Sequence, residues 1–236
     1  RAELGEVLFE ETPVLCGSYG PKQLEEVTAA FLALGPEQRE AVLKLRASPS
    51  LLVDCLDPMV EAVSPFGQHR LVHCGLETER LALCLVQAGL EVTPGGLREL
   101  GRLAHVLQEN GFRTENGLAL FLVLSRANHS CAPNAFREEL PAGPGRPVGG
   151  SALVALRRIE AGEEITINYG SDQELLLPTR LRQDWYLTTR GHSCWCSRCG
   201  EPEDPLRAFA CKVAGCREVR CVVRPGTSSA QGAAGE

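Results

Sequence analysis

The sequence predicts an α+β fold, and three observations lead to this class. Apolar residues recur at the spacing of an amphipathic helix through most of residues 20–108. Beyond residue 110, short apolar and β-branched runs are separated by Gly- and Pro-rich turns, which is typical of strands. Six of the eleven cysteines then fall between residues 194 and 221, which indicates a metal-binding segment.

Composition excludes several classes of protein. The chain has 236 residues, of which 44% are hydrophobic and 23% charged, as in globular proteins. Its longest apolar run, residues 118–124, is seven residues, whereas a membrane helix needs about 20. A net charge of -6 argues against direct binding of nucleic acid. An odd number of cysteines without a secretory signal predicts an intracellular protein, in the nucleus or the cytoplasm.

Two strands and then four helices are predicted in the first half of the chain. β-branched and aromatic residues favour strands over residues 6–10 and 13–16. Thr93 and Pro94 are typical of a helix N-cap and first turn. In that helix His105 falls opposite the leucines, so we expect it to face solvent. The four helices are expected at about residues 24–34, 36–47, 76–90 and 93–108.

The second half is predicted to contain strands and one further helix before the cysteine cluster. We expect Trp185 and Tyr186, inside that helix, to belong to the core. The last residues are small and polar, so we expect a disordered tail. These elements are two strands over residues 151–156 and 164–169, the helix over residues 173–188, and the tail over residues 225–236.

A Cys-x-Cys-x-x-Cys motif, Cys194 to Cys199, is the strongest local signal. Zinc takes four ligands in tetrahedral geometry, and thiolates suit it. The alternative of three buried reduced cysteines fits poorly with the Ser, Arg and Gly neighbours, which we expect to be exposed. The fourth ligand stays open among His192, Cys211 and Cys131, and a second site of less standard spacing is available to Cys211, Cys216 and Cys221.

Two further motifs precede this cluster. The segment Asn128-His129-Ser130-Cys131-Ala132-Pro133-Asn134 follows the apolar run, and on a strand His129 and Cys131 would face the same side. They could therefore form a thiol nucleophile and its base, as in a cysteine-dependent hydrolase. The segment Gly162-Glu163-Glu164 leads through a short strand to Tyr169, and alone it indicates no more than half a hairpin.

Together and in this order, the three motifs resemble those of the SET-domain protein lysine methyltransferases. The helical insert and the Asn110-Gly111-Phe112 segment are similar to the SMYD branch (SET and MYND domain proteins), including its arthropod relatives. The resemblance implies small twisted β-sheets with a pseudoknot, a helical insert and a zinc-bearing post-SET segment. The family's MYND module and N-terminal Gly-x-Gly segment have no counterpart in these residues, so we expect an incomplete fragment.

The resemblance also implies a role for individual residues. Tyr169 would be the catalytic phenol, and Cys131 would complete the zinc site of Cys194, Cys196 and Cys199, which leaves no free thiol to act as a nucleophile. His192 stands where the family often has an aromatic residue that stacks on adenine. The residues that would bind S-adenosylmethionine (SAM) are Asn110, Asn128, His129, Tyr169 and His192.

The expected organisation and function follow from this resemblance. We expect a SAM-dependent enzyme that methylates lysine in a histone or non-histone protein, without nucleic acid or membrane as a partner. The alternative is a catalytically weak, zinc-binding protein-interaction module. The expected parts are the start of the SET domain (1–19), a helical insert (20–108), the SET core (109–172), a post-SET zinc segment (173–224) and the tail (225–236).

Overall fold

The structure is a computed structural model of the chain. The predicted helix over residues 76–90 lies largely outside the residues it describes, as do Cys211, Cys216 and the tail over residues 225–236. The described residues are 1–46, 80, 83, 86, 93–145, 149–190, 192–202, 204, 206, 208–209 and 221–222.

Helices are combined with small sheets, which confirms the predicted α+β class. Among the described residues, no helix has the length and apolar character needed to cross a membrane. In chain order the elements are β1 (Val7–Glu11), β2 (Leu15–Ser18), α1 (Gln23–Ala33), α2 (Pro36–Leu43), α3 (Pro94–Asn110), β3 (Phe112–Thr114), β4 (Gly117–Leu120), a 3-10 turn (Leu124–Arg126), β5 (Asn128–His129), β6 (Ala135–Leu140), β7 (Gly150–Ala155), β8 (Thr166–Ile167), α4 (Asp172–Leu175), α5 (Thr179–Arg190), α6 (Ser197–Gly200), β9 (Ala208–Phe209) and β10 (Cys221–Val222).

The chain divides into two compact units. Unit 1 comprises Arg1–Asn128 and Asn134–Ile167, and unit 2 comprises His129–Pro133 and Asn168–Glu236. Both predicted motifs are therefore divided between the units. Asn128 and Asn134 lie in unit 1, whereas the residues between them lie in unit 2. The segment that leads to Tyr169 is divided between Ile167 and Asn168.

Unit 1 contains two three-stranded antiparallel sheets, ordered β1-β7-β6 and β2-β4-β3. Strand β2 pairs with β4 so tightly that a Cβ atom on Gly117 would lie 2.0 Å from the carbonyl oxygen of Gly17. Gly117 also has a φ of +143°, which L-residues with a side chain rarely adopt. The apolar core of this unit joins these strands to the helices through Leu15, Val27, Phe31, Leu103 and Leu120.

Helix α3 begins as the sequence predicts, but one of its side chains was wrongly placed. The hydroxyl of Thr93 accepts a hydrogen bond from the N–H of Gly96 at 3.1 Å, as expected of an N-cap. His105 is only 1% exposed, so the prediction that it faces solvent is wrong. The reason is that buried residues occupy more than one face of α3, since consecutive positions from Leu103 to Leu107 are all buried.

Two elements of the second half are shorter than predicted. Strand β8 covers two residues instead of six, because the side chain of Asn168 donates to the carbonyl oxygen of Gly170 and so stabilises a turn. The helix expected over residues 173–188 is two helices, α4 and α5, separated at Pro178. Proline lacks the N–H that a continuous helix needs at this position, and it disfavours helical geometry in the residue before it.

Unit 2 is organised around cysteines and aromatic residues. Its buried cluster comprises Cys131, Tyr186, Cys194 and Cys199, with Tyr169 and Trp185 packed against it. Tyr186 is fully buried, which confirms the prediction that it belongs to the core. This unit also contains a two-stranded antiparallel sheet, in which β9 pairs with β10.

Candidate functional site

Four cysteines of unit 2 converge in a way that could hold a zinc ion. The Sγ atoms of Cys131, Cys194, Cys196 and Cys199 all lie within 4.8 Å of one another. The Sγ of Cys131 lies 3.8 Å from that of Cys194 and 3.6 Å from that of Cys199. Four sulfurs about 2.3 Å from a tetrahedral zinc ion would be about 3.8 Å apart. The donor set and its spacing therefore fit zinc, and His192 is not part of the group.

The local backbone explains this convergence. Cys196 precedes helix α6, and its carbonyl oxygen accepts from the N–H of Cys199 at 2.9 Å, which turns the chain back on itself. The N–H of Cys131 donates to the Sγ of Cys196 at 3.3 Å. Trp195 points outward and is 82% exposed, while its two neighbouring cysteines turn inward.

The ionisation of the four thiols depends strongly on their neighbours. Hydrogen bonds to Cys194 and Cys196, together with burial, hold the pKa of Cys131 far above its ordinary value. The thiols of Cys131 and Cys194 hydrogen-bond to Cys196 and lower its pKa. Without a cation, one thiolate is thus stabilised at the expense of its neighbours. A bound Zn²⁺ supplies the positive charge that would let all four ionise.

A buried network of two arginines and one aspartate surrounds this cluster. Arg198 donates to both oxygens of Asp204, at 2.7 and 2.8 Å, and to the carbonyl oxygen of Cys131 at 3.0 Å. Arg182 donates to Asp204 at 2.5 Å and to the Sγ of Cys199 at 3.6 Å. The prediction that the arginine neighbour of the cysteines is exposed is therefore wrong, because Arg198 finds carboxylate and carbonyl acceptors inside unit 2.

The charges of this network favour an anionic cluster beside it. Burial opposes ionisation of Asp204, yet hydrogen bonds from Arg198 and Arg182 lower its pKa to about 2. The hydrogen bond that Arg182 donates to Asp204 likewise outweighs burial and raises the pKa of Arg182. Two guanidinium groups and one carboxylate leave one net positive charge next to the thiols, and part of it is directed at Cys199.

The side chain of His129 lies between the cysteine cluster and Tyr169. Its Nδ1 accepts from the backbone N–H of Tyr169 at 3.2 Å, and its Nε2 lies 3.3 Å from the Sγ of Cys131. Its ring packs against the rings of Tyr169 and Tyr186, with centroid distances of 5.4 and 4.0 Å. These contacts join the two predicted motifs inside unit 2.

Tyr169, the predicted catalytic residue, is half-buried in unit 2. The guanidinium of Arg190 lies 5.5 Å from the centroid of its ring, within the range of a cation–π interaction. Arg190 also donates to the carbonyl oxygen of Tyr169 at 3.5 Å. Two residues further along, His192 is half-buried, with its Nδ1 3.3 Å from the carbonyl oxygen of Arg190.

In unit 1 the same two motifs are joined through Asn134. This buried side chain donates to the carbonyl oxygen of Glu164 at 2.8 Å and accepts from the N–H of Thr166 at 2.8 Å. The exposed Asn128 donates to the carboxylate of Glu164 at 2.6 Å. These bonds hold the ends of the Asn128–Asn134 motif against the Gly-Glu-Glu segment.

Asn110, which the resemblance assigned to SAM, lies at the end of α3 and is buried. Its amide donates to the carbonyl oxygens of Arg46 and Val106, at 2.7 and 2.9 Å. The hydroxyl of Ser125 donates to its backbone carbonyl oxygen at 3.2 Å. Its side chain thus contributes to holding the helix terminus in unit 1.

The cysteine-hydrolase interpretation loses its support here. The approach of His129 to Cys131 is the geometry that such an enzyme would need. However, Cys131 is 1% exposed, is in contact with three other cysteines and has a raised pKa, whereas a reactive cysteine is accessible and easily ionised.

Sequence reasoning assigned no role to several residues that organise these sites. Arg182 and Asp204 carried no signal, because charged residues are usually exposed and nothing local marks the exceptions. Asn134 and Arg198 lie inside the sequence motifs, and this position was the only local sign that they could organise a site. Glu11 on β1 was also missed, although its carboxylate accepts hydrogen bonds from the N–H groups of residues 122–124, just before the Asn128 motif.

A profile of the SET domain matches residues 5–170 of this chain. Over 92 residues the chain is 44% identical to "Histone-lysine N-methyltransferase ATXR2" of Arabidopsis thaliana. The matched stretch covers 38% of this chain and 18% of that protein. The chain is 35% identical over 104 residues to "SET domain-containing protein SmydA-8, isoform B" of Drosophila melanogaster, which is 42% of this chain and 21% of that protein.

A third relative is a fungal protein. Over 108 residues the chain is 32% identical to "Histone-lysine N-methyltransferase SET5" of Meyerozyma guilliermondii, which is 44% of this chain and 21% of that protein. The matched stretches thus span about a fifth of the length of these three relatives. The Drosophila relative agrees with the SMYD-like branch that the motifs indicated.

Proposed function

This chain belongs to the SET-domain family, and on that basis we propose that it transfers a methyl group to lysine side chains of a protein, with SAM as the donor. Two of the relatives are named histone-lysine N-methyltransferases. The observation that carries the proposal is the hydrogen bond from the Tyr169 N–H to His129, because it joins the two motifs at the residue to which the family resemblance gives the chemistry.

Tyr169 is the residue that we propose to be catalytic. A lysine amine is protonated near pH 7 and must lose its proton before it can act as a nucleophile. During the transfer, positive charge spreads over the amine and the methyl group. The phenol oxygen of Tyr169 would position the amine and stabilise this charge, which requires orientation more than proton abstraction.

The SAM-binding residues form the second part of the proposal. When bound, SAM supplies a methyl group activated by a positively charged sulfur. Asn128 is exposed, and Tyr169 and His192 are half-buried, so their surfaces fit contact with a ligand. His129 contributes through the Tyr169 backbone that it holds. Asn110 fits least well, because its amide is already bonded to two carbonyl oxygens.

We propose a structural role for zinc at Cys131, Cys194, Cys196 and Cys199. A site with four protein ligands is closed and keeps no position open for a substrate or water. Its contribution would be to stabilise the fold of unit 2, where the cluster is buried. We also retain as proposals the domain boundaries expected from the sequence, including the post-SET zinc segment over residues 173–224.

We further propose that the partner is a lysine-containing protein, histone or non-histone, and that nucleic acid and membranes are not direct partners. The net charge of -6 supports the first exclusion, because proteins that bind phosphate backbones are usually basic. Reduced cysteines arranged for a metal support a nuclear or cytoplasmic location.

Methyl transfer can be tested with a pair of tyrosine variants. The zinc-loaded chain is incubated with SAM and candidate proteins, and lysine methylation is measured by mass spectrometry. We expect Tyr169→Phe to lower the rate about 100-fold, the scale of losing one transition-state contact. Tyr19→Phe is the control, because Tyr19 is exposed and its hydroxyl bonds only the Thr114 carbonyl among its described contacts.

The alternative function, a catalytically weak interaction module, predicts zinc binding without methyl transfer. Calorimetric titration of SAM into this chain, and into a longer chain extended at its N-terminus, separates the two. SAM binding by either chain supports the enzyme. Absence of binding by both, with zinc retained and folding intact, would favour the interaction module.

A further inference from the structure

The two ring nitrogens of His129 have different and complementary partners. A backbone N–H can only donate, so Nδ1 must accept from Tyr169 and the ring proton must lie on Nε2. That nitrogen lies 3.3 Å from the Sγ of Cys131, so it donates to the sulfur. We propose that His129 is a positioning residue that links the zinc ligand Cys131 to the backbone of Tyr169, so that zinc loading helps to hold Tyr169 in place.

The cysteine end of this link is fixed from several directions. The carbonyl oxygen of Cys131 accepts from Arg198 at 3.0 Å, and its N–H donates to the Sγ of Cys196 at 3.3 Å. Cys131 is 1% exposed, and its Sγ lies within the group of four sulfurs. A side chain that donates to this sulfur therefore binds to a part of unit 2 with little freedom to move.

The tyrosine end is also held by a second group of contacts, which includes the His129 ring. The ring of Tyr186 packs on the His129 ring at 4.0 Å, and its hydroxyl donates to the side chain of Asn168 at 3.0 Å. Asn168 immediately precedes Tyr169 and also donates to the carbonyl oxygen of Gly170. Both sides of the Tyr169 backbone are thus oriented by side chains that pack against each other.

Zinc would strengthen this link by changing the charge of the Cys131 sulfur. A thiolate is a stronger acceptor than a thiol, and hydrogen bonds to charged acceptors are about twice as strong as neutral ones. A zinc-bound Cys131 would be a thiolate, so its bond from Nε2–H would be strongest in the metal-loaded protein. The order of His129, and through it of the Tyr169 N–H, would then follow the occupancy of the metal site.

The first test needs no variant. Nitrogen-15 NMR of the zinc-loaded chain, with labelled histidine, reports which ring nitrogen carries the proton. We expect the Nε2–H form for His129, with a proton shift that changes when zinc is removed by a chelator. A ring protonated on Nδ1 would overturn the proposal, because that nitrogen could not accept from Tyr169.

The second test separates the two bonds of the ring. In His129→Asn the amide oxygen can replace Nδ1 as an acceptor, and in His129→Gln the amide nitrogen can replace Nε2 as a donor. We expect His129→Gln to raise hydrogen exchange of the Tyr169 amide about tenfold. We expect His129→Asn to speed zinc release to a chelator by about tenfold or more, as loss of a ligand's hydrogen-bond partner does.

Thr188→Ala, an exposed change on α5, is the control for both readouts. Equal exchange and equal zinc release in all four proteins would overturn the link. The biological purpose of this link rests on the function proposed for Tyr169, but the link itself does not. Neither readout uses SAM or methyl transfer, so an inactive chain that shows both effects would refute the proposed function and leave the link intact.

Discussion

Replacing Arg182 by methionine tests the buried charge network most directly. Arg182 is fully buried and donates to Asp204, to the carbonyl oxygen of Leu177 at 2.5 Å, and to the Sγ of Cys199. Methionine retains much of the length and apolar stem of arginine but donates no hydrogen bond. The change therefore removes the charge and the donors while it disturbs the packing of α5 as little as one substitution can.

The size of the effect follows from what is left behind. Removing one partner of a buried ion pair destabilises a protein by about 3–5 kcal/mol. Here Arg198 still donates to both oxygens of Asp204, so we expect the lower end of that range. With a denaturant slope of about 1–3 kcal/mol per molar urea, a loss of about 3 kcal/mol lowers the unfolding midpoint by about 1 M or more.

The change should also weaken the zinc binding that we propose for the four cysteines. Arg182 donates to the Sγ of Cys199, and loss of such a partner typically lowers metal affinity by about 10–100-fold. A competition titration with a chromophoric chelator measures this affinity. In the cobalt-substituted protein, the sulfur-to-metal charge-transfer band should shift to lower energy, because the sulfur loses a hydrogen bond that had stabilised its electrons.

Arg180→Met is the matched control, because Arg180 is exposed on the same helix. We expect it to change the free energy of unfolding by less than about 0.5 kcal/mol and to leave zinc affinity and the cobalt spectrum unchanged. Arg182→Lys should retain part of the stability but not the paired geometry of the guanidinium. The reasoning would be refuted if the methionine variants at the two positions behaved alike.

Two further predictions concern the hydrogen bonds of unit 1. Asn134→Ala leaves the Thr166 N–H and the Glu164 carbonyl without their buried partner, so we expect a loss of about 2–4 kcal/mol in urea unfolding; a loss below about 0.5 kcal/mol would contradict this. Hydrogen bonds from Arg157, the Glu160 N–H and Asn134 lower the pKa of Glu163 to about 2, below its unfolded value near 4.3. Its contribution is therefore present above about pH 4.3 and lost as pH falls towards 2, so the stability difference between the wild type and Glu163→Gln should shrink over that window; a difference independent of pH would show that the carboxylate is not responsible.

Local patterns predicted much of the fold. Helix α3 was predicted with its N-cap because Thr93, Pro94 and the leucine spacing all act within one helix. The strand β7 shifted by one residue from its predicted range, and α5 was located but not its break from α4. The break at Pro178 could have been predicted, since proline acts on its own backbone and on the residue before it.

The candidate sites were predictable only where their residues lie close together in the chain. The spacing of Cys194, Cys196 and Cys199 indicated zinc without any other information. From spacing alone the fourth position was open among His192, Cys211 and Cys131, and only the resemblance to a family selected Cys131. In the structure it is Cys131 whose sulfur lies in the group, and His192 does not.

What the sequence by itself determined was the class of fold and the identity of the family. What only the tertiary structure decided was which polar side chains are buried and what they bind. Charged residues such as Arg182, Arg198 and Asp204 usually lie at the surface of a protein, and His105 falls on the side of its helix opposite the leucines. All four are nevertheless buried. The physical reason is that periodicity and motifs describe a segment and its chain neighbours, whereas burial and pairing depend on which distant surfaces meet.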